Sequence, residues 1–146
     1  MRIQKVIEVN VPTSRIWPYF VEPERIMQWC ITFKRFEYTS NQRSGVGTPI
    51  YIEEQASGQL MKMNFETTEW KENEKVGLRM ISGGSLKSYE QSWSLGTTSS
   101  GSMVTFMEDI ELPYGVIGKL LGLILGGMSA STVDKMLTKL KSLVEA

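Results

Sequence analysis

The chain contains no histidine and a single cysteine, and these two absences exclude more than any motif it carries. Without histidine it lacks the commonest metal ligand and the commonest general base near neutral pH. With Cys30 alone it has no internal disulfide. An excess of charge of one sign is missing too: 16 Lys and Arg offset 16 Asp and Glu, with no polybasic run. Counterion release therefore has little to act through, and no nucleic-acid partner is expected. Long apolar runs are also lacking. A membrane-spanning helix needs about 20 predominantly apolar residues. The run from Leu120 to Ala130 is about half that and is diluted by Gly122, Gly126, Gly127 and Ser129. No transmembrane segment is expected. The opening residues, MRIQKVIEVN, alternate polar and apolar instead of placing an apolar block behind a charged head, so a cytoplasmic location is the expectation. There is no phosphate-cradling glycine loop, nucleophile elbow or zinc spacing. The acidic pairs Glu53-Glu54 and Glu108-Asp109 each place their two carboxylates on opposite faces of a strand. Neither a metal nor a cofactor is expected.

What is present reads as one α+β domain over residues 1–146, long enough to bury roughly 70% of the surface the unfolded chain exposes. Ile3, Ile7, Val9 and Val11 share one parity, as a half-buried strand requires, and Pro12 ends it. Thr13 or Ser14 is placed to cap a short helix that buries Ile16, Trp17 and Phe20, with Pro18 early in it. A second short helix begins at Pro23 and aligns Ile26, Met27 and Cys30. From Ile31 to Leu112 the period is two, in six segments: FKRFEYTS, TPIYIEEQAS, QLMKMNFETTEW, KVGLRMIS, LKSYEQSWSL and SMVTFMEDIEL. The connections between them are short and rich in turn residues, which predicts an antiparallel meander. The chain closes on a helical pattern. Val133, Met136, Leu137, Leu140, Leu143 and Val144 recur every three or four residues, opposite Asp134, Lys135, Lys139 and Lys141. Extended back to about Val116, this helix has roughly 30 residues and spans about 45 Å.

The order of one strand, two short helices, six strands and one long helix resembles the helix-grip fold of the START-like, or SRPBCC, superfamily, including its bacterial polyketide cyclase/dehydrase family. The resemblance covers essentially the whole chain and is carried by VNVPTSRIWPYFVEPERIMQW, EQSWSL, and DIELPYGVIGKLLGLILGG leading into LTKLKSLVEA. These are markers of fold, not of catalysis. The resemblance implies a curved seven-stranded antiparallel sheet wrapped around the C-terminal helix, with a cavity between them that holds hydrophobic small molecules in many members.

Against that implied architecture, parity nominates the residues that face the cavity. Val104, Phe106, Ile110 and Leu112 share the apolar side of the last strand, and Glu108 falls in the same series. Two readings of Glu108 stand. Pointing inward, it would be desolvated, with a raised pKa, and would be the candidate catalytic acid or base. Alternatively a bulge, the sheet edge or Arg79 returns it to solvent or neutralises it. Tyr89 and Gln91 offer polar contacts beside Trp93, which is either pocket wall or core. Met61, Met63 and Phe65 in a middle strand, with Met80, add a shape-tolerant lining. Leu121 and Leu125 contribute from the long helix. Trp29 and Cys30 fall where the resemblance implies the cavity mouth, Trp29 as a ligand contact and Cys30 as a small buried hydrophobe.

The small-residue stripe Gly118, Gly122, Gly126, Ala130 leaves three readings open for the long helix: close packing on the sheet, a cavity wall, or contact with a second copy of the chain or a membrane surface. The function expected from these features is binding or carriage of a small hydrophobic molecule such as a lipid, polyketide or aromatic compound. A polyketide cyclase/dehydrase-type enzyme using a cavity carboxylate is one alternative. A protein-interaction module using the glycine-rich helix is the other.

Overall fold

The structure, a computed structural model, describes residues 1–56, 58–113 and 115–146, with residues 115–129 described by their backbone alone. The element order is β1 (Arg2–Val9), α1 (Thr13–Ile16), α2 (Pro18–Val21), α3 (Pro23–Trp29), β2 (Phe33–Tyr38), β3 (Pro49–Ala56), β4 (Gln59–Lys71), β5 (Lys75–Gly83), β6 (Ser88–Thr97), β7 (Ser102–Glu111) and α4 (Gly115–Val144). All seven strands form one antiparallel sheet in the order β1-β7-β6-β5-β4-β3-β2. Strands β2 to β7 are therefore a meander, and β1 returns to pair with β7. The helix-grip architecture implied by the sequence is the one observed.

Two local expectations differ. The first short helix is divided into two single turns at Trp17, because Pro18 has no backbone N–H with which to continue the helical ladder. The turn closed by Trp17 N–H donating to Thr13 O at 3.0 Å ends there, and a new one closes with Glu22 N–H on Pro18 O at 2.9 Å. Neither Thr13 nor Ser14 caps α1, because both lie inside the turn; Pro12 takes the cap position without a side-chain hydrogen bond.

The meander follows from alternation. In β6 the buried series Tyr89, Gln91, Trp93, Leu95 faces the interior, and in β7 Ser102, Val104, Phe106 and Glu108 do the same. Irregular register at Phe33/Arg35 in β2 and at Asn64/Phe65 and Thr67/Glu69 in β4 bends the sheet, as extra residues in one strand of a pair do. Gly83 permits a close approach there: its φ is +92°, and a Cβ at that position would lie 2.3 Å from the Lys62 carbonyl oxygen.

The described half of α4 is amphipathic as its spacing predicts. Val133, Met136, Leu137, Leu140 and Val144 are buried against the sheet, while Asp134, Lys135 and Lys139 are exposed. Its end is tied to β1, with Lys141 Nζ donating to Glu8 O at 2.8 Å and the Asn10 N–H donating to Glu145 Oε2 at 2.8 Å. Among the described residues, no helix is long and apolar enough to cross a membrane. The glycine stripe, Leu121 and Leu125 lie outside the residues whose side chains are described.

Candidate functional site

Between sheet and helix the interior divides into a solid part and a hollow one. The solid part is aromatic. Trp29 packs on Trp93 with ring centroids 5.2 Å apart, on Phe20 at 6.0 Å and on Phe106 at 6.4 Å. The Trp29 indole N–H donates to Tyr19 O at 2.8 Å. Edge-on and tilted contacts of this kind suit the ring quadrupoles and add to the burial of large apolar area. Trp29 is fully buried and so does not stand at a cavity mouth. Its position at the end of α3 drives it under the sheet, into the core.

The hollow has a volume of about 160 Å³ and lies between β3, β6, β7 and the middle of α4. Of the residues nominated by parity, Met61, Tyr89, Gln91, Phe106 and Glu108 border it; Ile110, Val133 and Met136 add apolar wall. Met63, Phe65, Met80 and Trp93 do not border it. Met63 and Phe65 are buried core, Met80 packs at the core's edge, and Trp93 belongs to the aromatic cluster.

Glu108 points inward. Its alternative, neutralisation by Arg79, is not realised, because Arg79 lies on the outer face and pairs with Glu66 at 2.7 Å. The outward parity of Arg79 on β5 accounts for this, since it stands opposite Glu66 on β4 and Glu90 on β6. Glu108 is 7% exposed and is joined by a second carboxylate that parity did not single out, Glu54, at 6%. The signal for Glu54 was available: it continues the inward series of Ile50 and Ile52 on β3 as Glu108 continues that of Val104 and Phe106 on β7.

A hydrogen-bonded chain links these groups. Thr32 Oγ1 donates to Glu54 Oε2 at 2.6 Å. The Tyr89 oxygen lies 2.7 Å from Glu54 Oε1 and 2.8 Å from Glu108 Oε1. Gln91 Nε2 donates to the Tyr89 oxygen at 2.6 Å and to Glu108 Oε1 at 3.2 Å, while Trp93 Nε1 donates to Gln91 Oε1 at 3.1 Å. Trp93 thus fixes the orientation of the Gln91 amide.

The proton count of this chain is constrained. A phenol has one proton, yet its oxygen is within hydrogen-bond distance of both carboxyl groups. One of the two contacts runs along the phenol O–H, so the other needs a proton supplied by the carboxyl group itself. The pair therefore carries one shared proton. Glu54 has donors on both oxygens, which favours its charge, so Glu108 is the group that retains the proton. Burial and then the neighbouring Glu54 raise the Glu108 pKa to about 7, against the lowering effect of its bonds to Tyr89 and Gln91. Burial also raises Glu54, opposed by Thr32 and Tyr89. Tyr89 is pushed well up by burial and both carboxylates, and stays a phenol. Cys30 is fully buried, and its thiol is pushed well up by burial, then by Glu54 and Glu108. It is a protonated hydrophobe, as the absence of a histidine partner suggested.

Glu108 Oε2 accepts no hydrogen bond among the described residues. No fully enclosed side-chain N or O atom there lacks a partner, so this oxygen opens onto the hollow. The site is a small chamber of mixed lining, apolar at Phe106, Ile110, Val133 and Met136 and polar at Thr32, Gln55 and Thr132, with one accessible carboxyl oxygen backed by a proton-sharing pair.

Comparison with known proteins places the fold. Solved structures share the fold over nearly the whole chain. A protein from Thermus thermophilus is 18% identical, covers 99% of this chain and 97% of its own, and has a TM-score of 0.82. A START superfamily protein from Mycobacterium smegmatis is likewise 18% identical, covering 99% and 97%, with a TM-score of 0.78. The Zhui aromatase/cyclase from Streptomyces sp. R1128 is 8% identical, covering 99% and 93%, with a TM-score of 0.81. At these identities the likeness is one of fold. Comparison with curated proteins finds no match. The family described as "Polyketide cyclase / dehydrase and lipid transport" matches residues 1–145, and with that match over all but the final residue, the chain belongs to this family of START-like proteins.

Proposed function

We propose that the protein binds a small hydrophobic molecule in the hollow between β3, β6, β7 and α4. The observation that carries this reading is a chamber walled by Phe106, Ile110, Val133 and Met136 that also presents the free Oε2 of Glu108. Ligand sites combine an apolar lining with a few placed polar groups in this way. A cavity of about 150 Å³ takes up benzene, so the 160 Å³ observed suits one ring or a short branched chain. The family description, which names lipid transport beside cyclisation, supports the same reading. Titration with a small fluorescent apolar probe tests it: a saturable signal displaced by an unlabelled competitor is expected. A linear, non-displaceable signal overturns it.

A second reading, acid–base catalysis of the cyclase/dehydrase type, is favoured by one specific observation. Glu108 is held near neutrality, at about 7, beside the Tyr89 hydroxyl. A general acid or base works best with its pKa close to the operating pH. Under this reading Glu108→Gln abolishes turnover of a polyketide-like substrate while leaving probe binding intact, and the wild-type rate profile has a limb near that pKa. Turnover that survives the substitution rules it out.

A further inference from the structure

The chemistry of the hollow narrows what it takes up. We propose, building on the binding reading above, that its ligand is a compact organic amine, bound as the ammonium ion with its N–H groups on Glu108 Oε2 and its apolar body against Phe106, Ile110 and Met136.

The argument starts from an uncompensated charge. Buried carboxylates are normally paired with a cation or neutralised. Glu54 and Glu108 share one proton and so retain one negative charge, yet among the described residues no Lys or Arg lies within ion-pair distance of either. The nearby cations are spent on the outer face: Arg35 pairs with Glu37 at 2.7 Å and lies 3.9 Å from Glu53, and Arg79 pairs with Glu66. The titratable groups that face the pair are Cys30 at the end of α3 and Tyr89 on β6, both neutral. No charged side chain borders the hollow from the described part of α4. An anionic or purely apolar guest leaves the negative charge unanswered, whereas an ammonium group supplies both the positive charge and a donor for Glu108 Oε2, the carboxyl oxygen of the pair that has no partner among the described residues. Charge-assisted hydrogen bonds of this kind are the strong ones. With the cation in place the pair keeps its shared proton and the site as a whole is neutral.

Three probes of nearly equal size distinguish the outcomes: benzylamine, benzyl alcohol and toluene, each titrated calorimetrically into the intact protein in buffers of different ionisation enthalpy. Benzylamine is expected to bind about tenfold or more tightly than benzyl alcohol, the fold-change an added charge-assisted hydrogen bond produces. At about pH 6 it is expected to bind with little net release or uptake of protons, because the pair and the ammonium together are already neutral. Glu108→Gln erases the preference. Equal or weaker binding of benzylamine to the wild type overturns the amine assignment and leaves the binding reading standing. If all three probes fail to bind, both fall.

Discussion

Glu54 and Glu108 meet on a single atom, the Tyr89 oxygen, 2.7 Å from one carboxyl and 2.8 Å from the other. Their strands, β3 and β7, are separated in the sheet by β4, β5 and β6. Only a strongly bent sheet brings them together, and the bent sheet exists because the C-terminal helix needs a concave surface to bury Val133, Met136, Leu137 and Leu140. The polar site is thus a by-product of the grip, placed where the aromatic packing stops.

The shared proton makes stability depend on pH in a defined direction. In the folded state Glu108 titrates at about 7, above the ordinary value of 4.5. Between those two values the unfolded chain has released a proton that the folded chain still holds. Stability from this group is therefore complete below the unfolded value and is lost as pH rises to the folded one. At 1.36 kcal/mol per unit the loss reaches up to about 3 kcal/mol. Raised Glu54 acts in the same sense. Urea unfolding of wild type and Glu108→Gln at a series of pH values checks this: the difference between them grows in favour of the variant as pH climbs to about 7 and is flat beyond it. A difference independent of pH removes the shared proton from the account.

Removing the bridge has its own signature. Tyr89→Phe keeps the ring that packs edge-on to Phe65 at 5.3 Å and deletes only the hydroxyl. Gln91 Nε2 and both carboxyl groups then lose a partner, and a buried group left unsatisfied costs about 1–3 kcal/mol. The urea midpoint falls with the m-value unchanged, and the loss grows above neutrality, where the two charges face one another without a hydrogen bond between them. An unchanged midpoint means that water replaces the hydroxyl.

The solid and hollow halves of the interior respond oppositely to substitution. Trp29→Ala empties the aromatic cluster and costs about 3–5 kcal/mol, with little change in probe affinity for the protein that remains folded. Met61→Trp at the half-buried edge of the hollow does the reverse: the melting temperature holds while probe affinity drops by about tenfold or more. Thermal melts and probe titrations on both variants measure the contrast. Undiminished affinity in Met61→Trp relocates the binding site.

Much of this fold is legible in the chain because it rests on period and punctuation. The six strand segments, their turns and the amphipathic end of α4 each repeat one rule several times, so a single exception does not hide them. The departures at Thr13 and Pro18 are cases where one residue decides: a proline that removes one hydrogen bond divides a helix too short to tolerate it. The site was half legible for a different reason. Parity assigns Glu108, Tyr89 and Gln91 to the inner face, but it cannot say how far along the concave surface the packing stops, so it leaves Trp93 open between pocket wall and core, and the resemblance that places Trp29 at the cavity mouth does not show that it fills the core. Glu54 obeys the same parity as Glu108. That the two carboxylates share a phenol depends on the bend of the sheet, which no spacing along the chain encodes.

Cys30 provides a test of how tightly the carboxylate pair is sealed from the α3 side. Its sulfur is completely buried, and burial together with Glu54 and Glu108 raises the thiol pKa well above its ordinary value. Only the thiolate reacts with alkylating agents, so modification requires an opening that both exposes the sulfur and separates it from the two carboxyl groups. Since Cys30 packs with Ile26 and Trp29 in the main core, that opening is the global unfolding of the domain, not a local fluctuation. Iodoacetamide labelling of the native protein is expected to be slow, with a rate that follows the unfolding equilibrium as urea is added and that accelerates strongly in Trp29→Ala. Rapid labelling of the native state, insensitive to urea, means that α3 opens independently and that the hollow has an entrance on that side.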